Sequence, residues 1–376
     1  MLDRRLIKEF DWVTLLLVAG LCLLGGLGMY SATRGEAGHS HIFLEHLVRL
    51  GIGFAALMVV VMVDYRLLER YAYVFMGVCV ILLVGVEVFG RIGMGAQRWL
   101  AVGGVRIQPS EFLKIAMVLF LGRYLGAIKK TTALPLKDVL LTAFVVGAVF
   151  VLVLRQPDLG TAMIIGGIYC IVIFVAGLDY RVYAWAGGGL SAVGVLMGGL
   201  AYFNVFNVLN LLREYQVRRL MVLFNPDLDP LGAGYHINQS KIAIGSGGIT
   251  GKGFLKGTQS GLNFLPQQHT DFIFSVLAEE GGFIVALVAL CLMCALLLWG
   301  LDTARKAQDK TGSFIAVGVV GVLFLHFAVN IGMTTGIFPV VGLPLPFMSY
   351  GGSSVLTNFV GIGLLMNIRM RRFIFA

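Results

Sequence analysis

The stretch Leu265-Pro-Gln-Gln-His-Thr-Asp-Phe-Ile-Phe-Ser-Val-Leu-Ala-Glu-Glu280 joins the longest polar loop of the chain to a long apolar run. It places one carboxylate, Asp271, where water is expected to give way to a bilayer, and two more, Glu279 and Glu280, inside the apolar run. Acidic side chains at membrane depth are costly and usually functional. These three carboxylates are therefore the first candidates for a functional site.

The composition indicates whether water or lipid surrounds most of this protein. The chain has 376 residues, of which 58% are hydrophobic and 13% are charged. A soluble protein has about 25% charged residues, so this chain has too few to cover a water-facing surface. Apolar runs long enough to cross a bilayer recur along it, which predicts an all-α polytopic membrane protein. The net charge of +9 does not indicate nucleic-acid binding, because Lys and Arg collect in the cytoplasmic loops of membrane proteins.

Ten apolar segments predict ten transmembrane helices within a single integral membrane domain, 1–376. An even number of spans places both termini on one side of the membrane. One large loop, 205–271, connects the seventh and eighth spans. The predicted spans are 12–30, 47–63, 71–89, 112–128, 139–154, 160–178, 182–204, 272–301, 313–337 and 347–368.

The loop charges predict the orientation. Loops on the side of the termini are rich in Lys and Arg, whereas the short loops opposite hold Arg34, Arg91, Arg98, Arg106 and Arg155. Basic loops stay in the cytoplasm, so both termini are predicted to be cytoplasmic. The loop 205–271 is then extracytoplasmic, and Asp271 lies at the outer boundary of the membrane.

Two pairs of charged or aromatic residues on the outer side have two interpretations each. Arg98 and Trp99 follow the third span in a Gly-rich loop. They either anchor the protein at the interface, with Trp99 in an aromatic belt and Arg98 on lipid phosphates, or contact a substrate. Arg155 and Asp158 occupy a proline turn after the fifth span, where a local ion pair is the alternative to a functional role.

Polar residues also occur inside the fourth and ninth spans. Glu111 and Lys114 are three residues apart, so they share one face of a helix. Exposing either to lipid would be unfavourable, which favours a polar cavity, with a purely structural pairing as the alternative. His326 and Asn330 are four residues apart in the ninth span and are predicted to form interhelical hydrogen bonds.

The large loop contains two predicted helices. Residues 204–219 form an amphipathic pattern with Arg218 at its basic end, which predicts a helix on the outer leaflet. Residues 235–245 predict a short helix that carries Lys241. The glycines of 246–253 do not have P-loop spacing, although their backbone would allow an anion to approach closely.

Several stretches together resemble the SEDS family (shape, elongation, division and sporulation), membrane proteins that polymerise the glycan strands of peptidoglycan. In this order and with this number of spans they are specific, and they extend from the third span to the last. The sequences Gly232-Ala-Gly-Tyr-His236 and His269-Thr-Asp271 resemble the elongation (RodA-type) branch more than the division (FtsW-type) branch. The matching segments are Arg98–Leu100, Gln108–Glu111, Gln156–Asp158, Asn225–Pro226, Gln239–Ser240, Gly245–Gly248, Thr270–Phe274, Ala278–Glu280 and Pro346–Ser353.

The resemblance implies a reaction and a set of residues. Lipid II would be the substrate of an inverting glycosyl transfer at the outer face of the bacterial cytoplasmic (inner) membrane, with Asp271 as general base. A divalent cation, Mg²⁺ or Mn²⁺, could assist, although no metal motif is visible. A class B penicillin-binding protein would supply transpeptidation as the partner. The substrate-binding candidates are Arg98, Trp99, Glu111, Lys114, Arg155, Asp158, Arg218, Lys241, His269 and Ser349.

Two functions of other classes stay open at this point. Ten spans and glycine-rich helices also suit a lipid II flippase, although no internal repeat is evident. A scaffold of the elongation machinery without chemistry is the second alternative. By position alone Asp271 could equally be an acid at a helix start, facing the helix dipole. Glu279 and Glu280 are predicted to pair with buried cations.

Overall fold

The structure is a computed structural model that describes residues 8–34, 39–93, 96–102, 105–128, 134–178, 182, 217, 219, 221–223, 229, 232–262, 264–265 and 267–372. Its described helices are α1 (Trp12–Thr33), α2 (His39–Met62), α3 (Tyr65–Arg70), α4 (Ala72–Phe89), α5 (Pro109–Gly126), α6 (Leu136–Arg155), α7 (Leu159–Ala176), α8 (Ala233–Gly247), α9 (Thr258–Gly261), α10 (Ile273–Arg305), α11 (Lys310–Thr335) and α12 (Gly352–Met370). Three strands, β1 (Arg91–Gly93), β2 (Ala96–Val102) and β3 (Val105–Ile107), precede α5.

Nine of the ten predicted spans coincide with described helices, and the seventh, 182–204, lies almost wholly outside the described residues. Within the described residues, seven helices are long and apolar enough to cross a membrane: α1, α2, α4, α6, α7, α10 and α11. The helices α5 and α12 are instead buried along most of their length. A helix surrounded by other helices can carry polar groups that lipid would exclude, and these two helices carry several. The polytopic helical fold is thus confirmed.

Both ends of the described chain lie on one face, called here the terminal face. The Trp299 indole donates to Asp11 Oδ1 over 3.0 Å, and Arg369 Nη1 lies 3.0 Å from Asp302 Oδ2. Arg369 Nε also lies 3.9 Å from Asp11 Oδ2. These contacts join the start of α1 to the ends of α10 and α12, as an even number of spans requires.

The helix α10 breaks near its start. At Gly282 φ is 65° and ψ is −165°, values that no helix contains. Residues 273–281 run parallel to α1, because Leu277 lies against Gly28 and Glu280 accepts a hydrogen bond from Ser31, further along α1. These nine residues therefore rise towards the face opposite the termini.

Residues 283–305 run the other way. Leu292 lies against Gly20 of α1, and Trp299, further on, bonds Asp11 at the terminal face. The segment that ends at Gly282 is therefore re-entrant: the chain descends to Asp271, rises through a short helix and turns back to cross the membrane. The prediction of one continuous eighth span over 272–301 is wrong at its start, because a buried half-helix and a spanning helix have the same apolar composition.

A second irregular segment, 336–351, also enters the bundle from the opposite face. Asn330 Nδ2 donates to Leu343 O over 2.7 Å, and His326 Nδ1 lies 3.3 Å from Pro344 O. His326 is nine residues before the end of α11 at Thr335, so the segment reaches about 13 Å below that end at 1.5 Å per residue. Irregular backbone at such depth is tolerated only inside protein or around a polar cavity.

The Gly-rich loop predicted to carry Arg98 and Trp99 is a small antiparallel sheet. Its strand order is β1-β2-β3, with Arg91 opposite Trp99 and Leu100 opposite Ile107. The glycines of this stretch made it resemble a loop, whereas Arg98 lies in β2 at a bulge between the paired residues Gln97 and Trp99.

Candidate active site

The two re-entrant segments meet at Asp271. Asn330 Nδ2 donates to the backbone oxygens of both Asp271, over 2.9 Å, and Leu343, over 2.7 Å. Gly342, with φ of +70°, faces the carboxylate, and a Cβ there would lie 3.3 Å from Asp271 Oδ2. The prediction that Asn330 bonds another helix is wrong, because its partners are the backbone oxygens of the two re-entrant segments. These bonds fix Asp271 about five residues below the end of α11. Asp271 therefore lies inside the bundle, below the last residue of α11.

The surroundings of Asp271 raise the proton affinity of its carboxyl group. Burial raises its pKa from 3.8 to about 6, while the hydrogen bond from Thr270 and the charges of Arg219 and Arg98 lower it. The side chain remains partly exposed. A carboxylate in this state is ionised at neutral pH and accepts a proton more readily than an ordinary aspartate.

Arg98 is held towards this site by the turn that follows α6. Its Nη2 donates to Pro157 O and its Nη1 lies 3.5 Å from Asp158 Oδ1. Asp158 is itself buried, caps α7 by accepting from Thr161 N over 3.2 Å, and accepts from Gln108 Nε2 over 3.1 Å. Of the two interpretations of Arg155 and Asp158, the local ion pair is not formed, because Asp158 pairs with Arg98 and Arg155 is exposed.

A buried polar cluster lies beneath the second re-entrant segment. Lys114 Nζ is 2.8 Å from Glu111 Oε1 and 2.8 Å from His326 Nε2. All three side chains are buried, and Lys114 has no exposed surface. The shared helix face predicted for Glu111 and Lys114 is confirmed, as is the interhelical bond of His326. Through Pro344 O, the cluster supports the segment that carries Gly342.

The two glutamates beyond Asp271 have separate partners. Glu279 pairs with Lys252 over 2.7 Å, which confirms a cationic partner, although Lys252 is half-buried where a buried cation was predicted. Glu280 instead accepts from the hydroxyl of Ser31 and, over 3.4 Å, from Gly257 N. Neither carboxylate is directed at the site of Asp271.

One cluster beside the site was missed by the sequence reasoning. The Tyr350 amide donates to His269 O over 3.0 Å, its hydroxyl donates to Glu45, and Arg49 lies 3.9 Å above its ring. Glu45 and Arg49 also pair over 2.9 Å on α2. The signal available in the sequence was the pair of opposite charges, Glu45 and Arg49, four residues apart in an apolar run. Through Tyr350, this pair joins α2 to the stretch that carries Asp271.

The remaining predicted residues have varied surroundings. Ser349 is buried, and its hydroxyl accepts from Leu345 N over 2.8 Å. Lys241 is exposed and crosses Gly336 at the end of α11. Trp99 is half-buried in β2, and His269 packs edge-on against Tyr350. Arg218, like most of the predicted helix 204–219, lies outside the described residues.

A metal site does not emerge from the described part of the chain, where no group of three or more His, Cys, Asp or Glu side chains could hold an ion. No chemical step is therefore assigned to a metal.

Comparison with known proteins gives consistent matches. A family model described as a cell cycle protein, covering FtsW, RodA and SpoVE, matches residues 8–373. The chain is 41% identical to the Escherichia coli K12 protein named peptidoglycan glycosyltransferase MrdB, over 97% of this chain and 94% of that protein. It is 35% identical to the Treponema pallidum protein named peptidoglycan glycosyltransferase RodA, over 98% and 99% of the two chains. A chain of one solved structure aligns with a TM-score of 0.80 and 30% identity, over 97% of this chain and 98% of that chain. That structure is described as "Structural coordination of polymerization and crosslinking by a peptidoglycan synthase complex".

Proposed function

This chain belongs to the FtsW, RodA and SpoVE family of cell cycle proteins, and from that membership we propose that it is a peptidoglycan glycosyltransferase of the RodA type that polymerises lipid II for cell elongation. The relatives that carry this activity in their names match nearly the whole chain. The observation that carries the proposal is Asp271, a partly exposed carboxylate with a raised pKa, near two arginines at the meeting of two re-entrant segments.

The reaction assigns Asp271 the role of general base. The 4-hydroxyl of one lipid II sugar attacks the anomeric carbon of another, and Asp271 takes the hydroxyl proton as the new C–O bond forms. The bond from the anomeric carbon to the diphosphate breaks on the opposite side of the sugar, so the configuration inverts. The lipid diphosphate leaves with the electron pair of that bond.

The departing diphosphate needs cations. Arg98 and Arg219 are the first candidates, since their charges already act on Asp271. The sequence also suggests Arg155, Lys241, Arg218 and Lys114. Lys114 and Glu111 are too deeply buried to meet a lipid headgroup directly. Their role in this proposal is to support the second re-entrant segment from below.

The face opposite the termini is assigned to the outside of the bacterial inner membrane, and the termini to the cytoplasm, by the excess of basic residues on the terminal face. A class B penicillin-binding protein is the proposed partner. Its support is the similarity to a chain from a peptidoglycan synthase complex in which polymerisation and crosslinking are coordinated.

The test is polymerisation of purified lipid II by the purified protein with its partner. Asp271→Asn keeps the size of the side chain and removes the base, so we expect glycan synthesis to be lost. Asp302→Asn, a carboxylate at the other end of α10 on the terminal face, is the matched control and should polymerise normally. Both variants should elute as the wild type does in size-exclusion chromatography. Normal synthesis by Asp271→Asn would remove it from the role of base.

The flippase alternative gains one feature from the structure, since broken helices also line the binding sites of transporters. The names of the relatives favour the transferase. Reconstituted vesicles separate the two functions: a flippase moves labelled lipid II across the bilayer without polymerising it, and Asp271→Asn would then alter transport.

A further inference from the structure

The rising helix 273–281 is held at both ends. At its lower end Asn330 binds Asp271 O. At its upper end Glu279 has no exposed surface and its carboxylate is surrounded by donors. We propose that Glu279 is a positioning residue, which fixes the helix that carries Asp271 by fastening it to the segment Lys252–Ser260. This inference rests on the proposed role of Asp271 as base.

The contacts of the Glu279 carboxylate are numerous and well defined. Its Oε1 accepts from Lys252 Nζ over 2.7 Å, from Thr258 N over 2.7 Å and from Gln259 N over 2.9 Å. Its Oε2 accepts from Ser260 N over 3.2 Å. The hydroxyls of Thr258 and Ser260 add bonds of 3.1 and 3.3 Å. With both oxygens fully engaged inside the protein, Glu279 has no lone pair directed at a substrate.

The backbone on both sides of the break reinforces this junction. Helix 273–281 ends at Gly282, which frees the carbonyls of Glu279 and Glu280 from helical bonding. Lys252 N donates to Glu279 O over 3.1 Å, and Gly253 N donates to Glu280 O over 2.9 Å. Because these carbonyls accept hydrogen bonds from the loop backbone, the loop and the helix are joined along both chains.

Glycine makes the close approach possible. A Cβ on Gly247 would lie 2.0 Å from Ala278 O, and one on Gly251, where φ is +78°, would lie 2.0 Å from Glu280 O. These glycines belong to the Gly-rich stretch that has no P-loop spacing. Its function here is to let the loop backbone pack directly on the backbone of the rising helix.

The energetics explain why this junction affects Asp271. A buried carboxylate that loses its donors is strongly unfavourable, so the segment Lys252–Ser260 stays attached while Glu279 is ionised. The helix 273–281 is nine residues long, and Asp271 precedes it by two residues. A shift at the upper end is therefore transmitted to Asp271, and a displacement of about 1 Å at a catalytic group can lower a rate by about a hundredfold.

The main test is Glu279→Gln, with kinetics of lipid II polymerisation and hydrogen–deuterium exchange on the same preparation. We expect kcat to fall by about tenfold or more, with KM nearly unchanged because Glu279 does not face the substrate. Amide exchange should rise in 252–260 and stay unchanged in α11. Asp302→Asn, at the other end of α10, is the control for loss of a carboxylate.

A second pair of variants isolates the backbone donor and guards against misfolding of Glu279→Gln. Thr258→Pro removes the N–H that binds Glu279 at the first position of α9, where proline is tolerated. Thr258→Val removes only the hydroxyl. A positioning role predicts a lower kcat for Thr258→Pro than for Thr258→Val.

The outcomes are distinct. Raised exchange in 252–260 with a normal kcat, or a change in KM alone, would overturn the positioning role of Glu279. Equal kcat for the two Thr258 variants would also count against it. Normal polymerisation by Asp271→Asn would overturn the proposed base instead. Exchange in the Glu279→Gln variant does not depend on activity, so the two failures can be told apart.

Discussion

At the scale of single residues, two opposed effects set the protonation of Asp271. Burial raises its pKa to about 6, while Arg98, Arg219 and Thr270 counteract that rise. The result is a carboxylate that is ionised at pH 7 but close enough to neutrality to accept a proton efficiently. In the proposed function, the arginines therefore act on Asp271 as well as on the leaving group.

The first prediction concerns pH. The base is active only when deprotonated, and its pKa in the folded protein is raised from 3.8 to about 6. The polymerisation rate should therefore be constant above about pH 7 and fall as pH drops through about 6, approaching tenfold per unit. Initial rates between about pH 4.5 and 8 measure this acid limb of the pH–rate profile, where the rate falls as pH drops. An acid limb near pH 4 would show that Asp271 titrates as an ordinary aspartate.

The second prediction uses Arg98, whose charge favours the ionised form of Asp271. Arg98→Gln removes that charge, so the acid limb should move to higher pH. Arg106→Gln is the matched control, because Arg106 is an exposed arginine of β3 that is not among the charges acting on Asp271. If the rate of Arg98→Gln falls at the same pH as that of the wild type, solvent screens this charge from Asp271.

At the scale of elements, the segment 336–351 determines what faces the base. It has positive φ at Gly342 (70°) and at Phe347 (66°), and Phe347 is a residue that rarely adopts such values. Leu343, Leu345 and Met348 bury the segment in the bundle. A strained backbone of this kind persists only where the surrounding packing holds it in place, and it is often found at functional sites.

The third prediction tests this element. Gly342→Ala adds a methyl group 3.3 Å from Asp271 Oδ2 at a φ of +70°, where an L side chain costs about 1–2 kcal/mol. We expect a lower kcat and a lower apparent Tm. Gly26→Ala in α1 is the control, because a Cβ there meets nothing within 4 Å and alanine favours the helix. Wild-type kcat in Gly342→Ala would show that the segment tolerates displacement beside the base.

At the scale of the whole molecule, a cluster of charged and aromatic side chains on the terminal face joins three helices. Arg369 lies 3.8 Å above the ring of Trp299 and binds Asp302, while Trp299 bonds Asp11. Arg369 and Asp11 are both buried. This cluster joins α1, α10 and α12 far from Asp271, so stability and catalysis are separable.

The fourth prediction follows from that separation. Arg369→Met leaves Asp11 buried with fewer compensating charges, a loss of about 3 kcal/mol, and should lower the apparent Tm in detergent by about 5 °C or more. The KM of the surviving protein should not change. Lys306→Met, which removes an exposed partner of Asp302, should have little effect on Tm, since such pairs contribute about 0–1 kcal/mol. Equal Tm values for both variants would contradict the role of the buried cluster.

Sequence alone determined the class of protein, most of the helices in the described part of the chain and the candidate residue Asp271. Hydropathy reports whether a residue prefers water or an apolar environment, which is a property of each residue, so nine spans could be located. The resemblance supplied Asp271, and helical spacing supplied the pair of Glu111 and Lys114. The sequence also placed a cation beside Glu279 without identifying Lys252.

Only the tertiary structure decided the direction of the chain at Gly282, the depth of Asp271 and the partners of the charged residues. A half-helix buried in protein and a helix buried in lipid exclude water equally, so their sequences look alike. The reversal at Gly282 depends on backbone bonds with residues 248–253, and the depth of Asp271 depends on Asn330. Likewise, Asp158 pairs with Arg98 instead of Arg155, because packing between distant segments selects among partners that the sequence offers equally.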